Sequence, residues 1–391
     1  MENKYFLQPI DPELFIPKQE GQNLLSDHIS KNFADTPFPD ISIANAAIIG
    51  VDESRYSVDN LTSHGGSNLV RKHLYQLKPG AFKLNVVDLG NIGEGERVED
   101  TYVALADIIT ELLEHNVIPI IIGGSQDLTY GCYKAYEKLQ QIINIVAVDR
   151  KFDFSNGDDD DTHSENYLRK IILQQPNYLF NYSIIGYQSY YVDQELIRLM
   201  DNLFFDTHRL GMIKGNLIEI EPLIRNCDLL SFDMGAIRAG DSPGHATAGP
   251  NGFFGDEACQ IARYAGLSDK LSAIGFFEYN FEYDSRELSA QLMAQMIWYF
   301  LEGLYNRKTE DPTVNTDDFL KYHVSVNSGK DTIVFYRSKN TDRWWMEIGS
   351  KQSIKNEYRR HNLIPCSYSD YKKACENDIP DRWWKAFQKL M

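Results

Sequence analysis

Long apolar runs, paired cysteines and positive charge are all scarce in this chain of 391 residues. The longest apolar runs, Val117–Ile122 and Ile143–Val148, are far shorter than the ~20 residues of a membrane-spanning helix, and the N-terminus lacks the apolar core of a signal peptide. The five cysteines are scattered, without a CxxC pair, which argues against a disulfide framework or a zinc site. We therefore predict a cytoplasmic protein without membrane association.

The shortage of positive charge concerns possible partners. Lys and Arg number 39 against 56 Asp and Glu, for a formal net charge of −17. Such a surface repels phosphate backbones, so we expect no nucleic-acid partner. The hydrophobic fraction of 43% and charged fraction of 24% are those of a globular protein.

Short β-branched runs alternate with amphipathic stretches along most of the chain. Apolar strands separated by helices indicate a parallel sheet covered on both faces, either closed as a barrel or open and doubly wound. Periodicity alone does not separate these two architectures. The eight predicted strands are Asn45–Val51, Leu84–Leu89, Val117–Ile122, Ile143–Val148, Tyr182–Gly186, Leu203–Asp206, Leu229–Asp233 and Leu271–Phe277.

The composition divides the chain into three parts: an N-terminal extension (1–44), an α/β domain (45–308), and a linker with a C-terminal appendage (309–391). The appendage is predicted to be small, with a β-hairpin formed by Thr332–Tyr336 and Trp344–Ile348 and a terminal helix, Asp381–Leu390. It holds four of the five tryptophans. They favour packing on the chain's own main domain, with docking on a partner as the alternative.

Unusual polar residues follow four of the predicted strands. Ligands of parallel sheets bind at the carboxyl ends of strands, so these residues should converge on one pocket. Several acids there need a cation among them, because like charges repel. The four segments read GGSQD at 123–127, DRKFD at 149–153, SFDMGAIR at 231–238 and FFEYN at 276–280.

In order and spacing, these segments resemble the motifs of the ureohydrolase superfamily (arginase, agmatinase and formimidoylglutamase). The resemblance covers roughly residues 40–310 and implies a three-layer α/β/α fold with a central, mainly parallel, eight-stranded sheet. It also implies a site in which two divalent ions, usually manganese, are held by two His and four Asp and activate a water.

Carried over residue by residue, the resemblance leaves three metal ligands in place. These are Asp149, Asp153 and Asp233, with Gln126 and Lys151 at the two histidine positions. The fourth Asp position is Gly235, and a non-ligand Asp of the same motif is Arg238. His163 falls near the family's proton-transfer histidine, and Glu278 near its substrate-binding acid.

Charge explains these substitutions together. An ammonium repels metal ions, so we expect Lys151, with help from Arg238, to neutralise the acids and to lie within ion-pair distance of at least one of Asp149, Asp153 and Asp233. No cofactor is then expected; if one binds, it should be a single divalent cation (Mn²⁺, Mg²⁺ or Ca²⁺) on the three aspartates and Gln126. The acidic run Asp158–Asp161 is interpreted as a solvated loop.

The resulting hypothesis is a pseudoenzyme that acts as a ligand-binding or assembly module, with a small-molecule ligand possible and homo-oligomerisation expected. The alternative is an active C–N hydrolase of linear amidines, similar to formimidoylglutamase, that uses one metal or a rearranged site. Nothing in the sequence supports a P-loop, a dinucleotide-binding motif or a Ser-His-Asp triad.

Overall fold

The computed structural model describes residues 1–14, 21–58, 60–62, 65–155, 162–349 and 356–390. Within them lies a large sheet whose strands run in the spatial order β1-β4-β3-β5-β10-β9-β6-β7-β8, with β2 also paired to β4. The strands are β1 (Leu7–Gln8), β2 (Ile29–Lys31), β3 (Ala46–Val51), β4 (Val86–Ile92), β5 (Ile118–Gly123), β6 (Ile143–Val148), β7 (Leu179–Tyr187), β8 (Asp206–Arg209), β9 (Leu229–Asp233) and β10 (Ala273–Phe277).

Seven of the eight predicted strands overlap well with strands of the structure, and the eighth, Leu203–Asp206, shares only Asp206 with β8. The strands from β4 to β8 form one continuous parallel sheet. The central strands are buried on both faces, which explains their runs of Ile, Val and Leu. The sheet has two more strands than predicted: β1 pairs antiparallel and β2 parallel with β4. Both come from the N-terminal extension and are too short to show a periodic pattern.

Helices cover both faces of the sheet and so form the predicted α/β/α layers. One apolar core lies between the sheet and α1 with α6 to α9, and the other between the sheet and α2 to α5. The helices are α1 (Gly66–Leu74), α2 (Val98–Glu114), α3 (Leu128–Lys138), α4 (Tyr167–Leu173), α5 (Gln194–Asn202), α6 (Leu210–Ile213), α7 (Glu221–Arg225), α8 (Gly255–Leu267) and α9 (Leu288–Tyr305). In the part of the chain described, no helix combines the length and apolar character needed to cross a membrane.

The C-terminal appendage is larger than the predicted hairpin. It is an antiparallel sheet in the order β11-β12-β13-β14, with two helices. The predicted pairing of the hairpin strands is confirmed, since β12 pairs with β13. The elements are β11 (Phe319–Val326), β12 (Asp331–Ser338), β13 (Trp344–Glu347), β14 (Leu363–Cys366), α10 (Tyr368–Cys375) and α11 (Asp381–Leu390).

The appendage packs on the chain's own α/β domain. Its apolar core includes Phe180 of β7, and the Trp345 ring stacks 4.4 Å from the guanidinium carbon of Arg225 in α7. Trp344, Trp345 and Trp383 are buried. Trp345 follows the favoured interpretation, packing on the main domain, whereas the rings of Trp344 and Trp383 contact residues of the appendage itself.

Candidate functional site

The site is built on the four central strands β5, β10, β9 and β6. Their register aligns Phe277 with Asp233 and Phe232 with Val148. Residues that follow these strands therefore meet at one edge of the sheet. Asp149, Asp233 and Glu278 lie along this edge as predicted, because parallel strands place their carboxyl ends together.

Asp149, Asp153 and Asp233 form a buried carboxylate cluster. Asp149 interacts with both of the other acids. Burial, reinforced by the charge of Asp233, raises the pKa of Asp149 to about 7. Burial, reinforced by the charge of Glu278, raises the pKa of Asp233 to about 6. Burial and the charge of Asp149 raise that of Asp153 well above its usual value. The carboxylates of the cluster therefore repel one another, and bound protons or a cation reduce that repulsion.

Local turns fix the orientation of two of these acids. Asp149 Oδ1 accepts a hydrogen bond from the backbone N–H of Lys151 at 3.2 Å, and Asp233 Oδ1 accepts one from Gly235 at 2.7 Å. In contrast, Asp149 Oδ2 and Asp153 Oδ2 are buried without a hydrogen-bond partner among the described residues. These two oxygens are free to accept a proton or to face a cation.

The Lys151 ammonium lies in the pocket, but its direct partner differs from the expected one. Lys151 Nζ forms an ion pair with Glu165, which the sequence did not single out. Burial lowers the pKa of Lys151, but the charge of Asp153 and the bond to Glu165 outweigh burial and leave the pKa above its usual value. Lys151 therefore neutralises the cluster at longer range and is held in place by Glu165.

Gln126 and Glu278 are tied to one another and to the protein around them. Glu278 Oε1 accepts the backbone N–H of Gln126 at 2.8 Å, and its Oε2 accepts from Ser57 and Asn60 at 2.9 and 2.7 Å. The φ of Glu278 is +62°, a left-handed conformation that these contacts hold in place. The Gln126 amide nitrogen donates a hydrogen bond of 3.3 Å to the Ser231 hydroxyl, so this side chain is already hydrogen-bonded within the protein interior.

His245 occupies the space that a side chain at position 235 would need. A Cβ on Gly235 would lie 3.0 Å from both Nε2 and Cδ2 of His245. Burial, together with the charges of Arg150 and Lys151 and against that of Glu278, lowers the pKa of His245 to about 4. The sequence analysis did not identify His245. The available signal was its position in the glycine-rich loop at residues 243–255, which follows Gly235 along the chain.

Arg150 anchors the same loop to the pocket. Its guanidinium donates to the carbonyl and hydroxyl oxygens of Thr247, and the backbone N–H of Thr247 donates to His245 Nδ1 at 3.1 Å. The charge of Arg150 lowers the pKa of Asp233, against the effect of burial. Arg150 is thus a second cation of the site, and it also fixes the imidazole that fills the position of the absent side chain.

Two predicted residues lie apart from the pocket. Arg238 is 40% exposed and binds Asp241 through two hydrogen bonds of 2.9 Å. The expectation that it neutralises the acids is therefore wrong. His163 Nδ1 accepts the backbone N–H of Glu165 at 3.2 Å, so it orients the partner of Lys151 and does not line the cavity. The acidic run at 158–161 lies outside the described residues.

The cavity at this site is small, with a volume of about 30 Å³. A water needs roughly 10–15 Å³ of such space, so there is room for one or two waters or for a single ion. Among the described residues, no group of three or more His, Cys, Asp or Glu side chains has an arrangement that could hold a metal ion. The cavity is lined by Val58, Gln126, Arg150, Lys151, Asp153, Ser164, Glu165, Asp233, His245, Thr247 and Glu278.

Comparison with known proteins identifies relatives of this chain. The formimidoylglutamase of Staphylococcus aureus (strain MRSA252) is 25% identical over 230 residues, which cover 56% of this chain and 72% of that protein. The structure of formimidoylglutamase from Bacillus subtilis superposes with a TM-score of 0.66 at 20% identity, over 79% of this chain and 99% of that one.

A second solved structure, Trypanosoma cruzi formiminoglutamase with Mn²⁺, gives a TM-score of 0.61 at 18% identity and covers 68% of this chain and 95% of that one. These structures show that the fold is shared. The profile of the arginase family matches residues 44–302, which span the whole parallel sheet from β3 to β10. The chain belongs to the arginase family.

Proposed function

We propose that this arginase-family chain is a pseudoenzyme, which does not hydrolyse amidines by a two-metal mechanism and acts as a ligand-binding or assembly module. The observation that carries the proposal is the contact between Gly235 and His245. The resemblance places a metal-ligating aspartate at position 235, and here the imidazole of a different loop fills that volume. Glycine at position 235 is therefore matched by an imidazole that leaves little room for a longer side chain there.

The residues present do not fit a pair of divalent ions. Two ligand positions hold Lys151, whose ammonium repels cations, and Gly235, which offers no side chain. A third, Gln126, already donates its amide to the protein interior. The retained aspartates obtain positive charge from Lys151 and Arg150 instead. Fixed protein cations and bound protons therefore neutralise the retained aspartates here, in place of metal ions such as the Mn²⁺ bound in the Trypanosoma cruzi structure.

The second candidate function is hydrolysis of the C–N bond of a linear amidine with one divalent cation. One observation favours it: Asp149 Oδ2 and Asp153 Oδ2 are buried and have no partner among the described residues. Buried carboxylate oxygens without donors are ready ligands for a cation. The cavity also has room for one ion.

The decisive experiment measures metal content and turnover on the same preparation. After incubation with Mn²⁺ and desalting, elemental analysis should find no stoichiometric manganese. Arginine and agmatine should yield no urea, and formimidoylglutamate no formamide. The control is Asp233→Ala, which should behave like wild type in both assays. Turnover that requires metal and is lost in Asp233→Ala would establish the hydrolase instead.

The assembly role predicts association between copies of this chain. Light scattering coupled to size-exclusion chromatography should give a mass that is a multiple of the 44.9 kDa of one chain. A mass equal to one chain at all concentrations would leave ligand binding as the role of the pocket.

A further inference from the structure

A small, partly open cavity lies where the last helix, α11, docks against the edge of the parallel sheet. We call it the docking cavity. Its volume is about 30 Å³, enough for a water or a monatomic ion and too small for a polyatomic one. One wall is formed by residues of β6, β7 and β8 and the other by α11, with further residues from α7, its C-terminal Asn226, and β14.

Three of the side chains that line the docking cavity are cationic. Arg382, Lys385 and Lys389 follow one another at the i, i+3 and i+7 positions of α11, which places them on one face of the helix. Asp206 is the one carboxylate among the lining residues that the structure describes. Positive charge is thus concentrated here in a chain whose formal net charge is −17.

The available carboxylates compensate this charge only in part. Lys385 Nζ lies 3.9 Å from Asp206 Oδ1, and it lies at the same distance from Asp201, which is largely exposed. Arg382 Nε lies 3.8 Å from Asp370 Oδ2, but that oxygen also accepts the backbone N–H of Ser367 at 2.8 Å as the cap of α10. Each carboxylate is therefore shared or exposed.

The Lys389 ammonium and one nitrogen of the Arg382 guanidinium have still less compensation. Lys389 Nζ donates to Asn181 Oδ1, a neutral acceptor, and forms no ion pair within 4.0 Å in the described parts of the chain. Arg382 Nη1 is buried and has no hydrogen-bond partner among the described residues. A buried guanidinium N–H without an acceptor is costly and would be satisfied by an anion.

Burial is the main cause of two lowered pKa values beside the cavity, and nearby cations add to it. Burial lowers the pKa of Lys389 to about 8; Asp206 opposes the shift and Lys385 adds to it. Burial lowers the pKa of His208 on β8 to about 4, with Arg382 and Lys385 contributing against Asp206. Both groups thus hold a proton less readily than they would in water, chiefly because they are buried.

We propose that the docking cavity binds one monatomic anion, with chloride as the ligand, and that this ion fastens α11 to the edge of the sheet. The cations supply the charge, the free Arg382 N–H supplies a donor, and the volume excludes sulfate and phosphate. An anion that binds only when α11 is docked stabilises the folded chain in proportion to the logarithm of its concentration over its Kd.

The test is the melting temperature of the full chain in sodium chloride, bromide, sulfate and gluconate at one ionic strength. Chloride and bromide should raise Tm by several degrees over gluconate, with saturation, and sulfate should not. The effect should disappear in Arg382→Gln and in Lys389→Met. It should persist in Lys373→Met, which removes an exposed lysine from the adjoining helix α10.

Two results would overturn the proposal. One is a wild-type Tm that is the same in chloride and gluconate, and the other is a halide effect of equal size in Arg382→Gln, Lys389→Met and the control. Crystals grown in bromide provide a measurement that needs no variant. An anomalous peak should appear between α11 and β8, and an ordered water without anomalous signal at that place would also refute the anion.

Discussion

The contact between Gly235 and His245 supports a sharp prediction about packing. Carbon atoms in protein interiors pack at about 3.5–4.0 Å, whereas a Cβ at position 235 would lie 3.0 Å from the His245 ring and 3.1 Å from Asp233 Oδ1. The φ of Gly235 is not in the left-handed region, so alanine is allowed by the backbone. Gly235→Ala therefore tests the close packing around position 235 without backbone strain.

The expected magnitude is a difference between two opposing effects. Overpacking of a well-packed interior costs about 1–3 kcal/mol. Replacement of glycine by alanine at a permitted conformation stabilises by about 0.4–1 kcal/mol through the unfolded chain. Gly235→Ala should therefore lower the free energy of unfolding by roughly 0.5–2 kcal/mol.

A double-mutant cycle with His245→Ala isolates the contact. Removal of the imidazole should relieve the overpacking, so the double variant should be more stable than the sum of the single changes predicts. Urea unfolding followed by far-UV circular dichroism measures each variant. Additive effects would mean that the ring does not fill this space, and the repacking argument should then be abandoned.

The same cycle extends to the proposed loss of metal binding. Gly235→Asp with His245→Ala, together with Gln126→His and Lys151→His, restores the ligand set of the resemblance and frees the volume that it needs. Mn²⁺ should raise the Tm of this variant strongly and that of wild type hardly at all. A large rise in wild type would instead show that the native residues already hold the ion.

Three further predictions follow from buried charges. Lys151→Met should destabilise the protein by about 1–3 kcal/mol at pH 8 and by less at pH 5, because the neighbouring acids carry protons at the lower pH. Equal shifts of the urea unfolding midpoint at both pH values would contradict this prediction. The pKa of His208, about 4, lies below that of an unfolded histidine, so the contribution of the neutral imidazole to the free energy of unfolding should be complete above pH 6.5 and fall between pH 6.5 and 4. His208→Gln should abolish about 1–2 kcal/mol of that loss, measured as the difference between urea unfolding at pH 7.5 and at pH 5. Arg225→Ala should cost about 2–4 kcal/mol and expose the appendage to limited proteolysis, whereas the partly exposed Arg263→Ala should cost under about 1 kcal/mol.

The sequence determined the parallel sheet and the location of the site. The central strands β3, β5 and β6 are local runs rich in Ile and Val, and such runs are recognisable because both faces of a central strand are buried. The convergence of Asp149, Asp233 and Glu278 follows from the same pattern, since the carboxyl ends of parallel strands share one edge. Both features depend on short stretches of chain.

The edges of the fold were not determined in this way. β1 and β2 are two and three residues long and join the sheet only because β4 presents free backbone groups to them. In β11 the polar residues Lys321, His323 and Ser325 interrupt the apolar ones, and the strand is completed by its pairing with β12. Pairing between distant segments is a property of the assembled sheet.

Only the tertiary structure decided how the site is neutralised. The flexible side chain of Lys151 can reach several acids. It pairs with Glu165 because the turn that carries Glu165 places its carboxylate beside the ammonium. Arg238 instead binds Asp241, three residues along the chain, and His245 reaches the pocket from a loop that Arg150 holds through Thr247. A motif specifies which residues stand at the ends of the strands. Which charges then pair depends on loops folded in three dimensions, where differences of a few ångströms decide between a partner inside the pocket and one outside it.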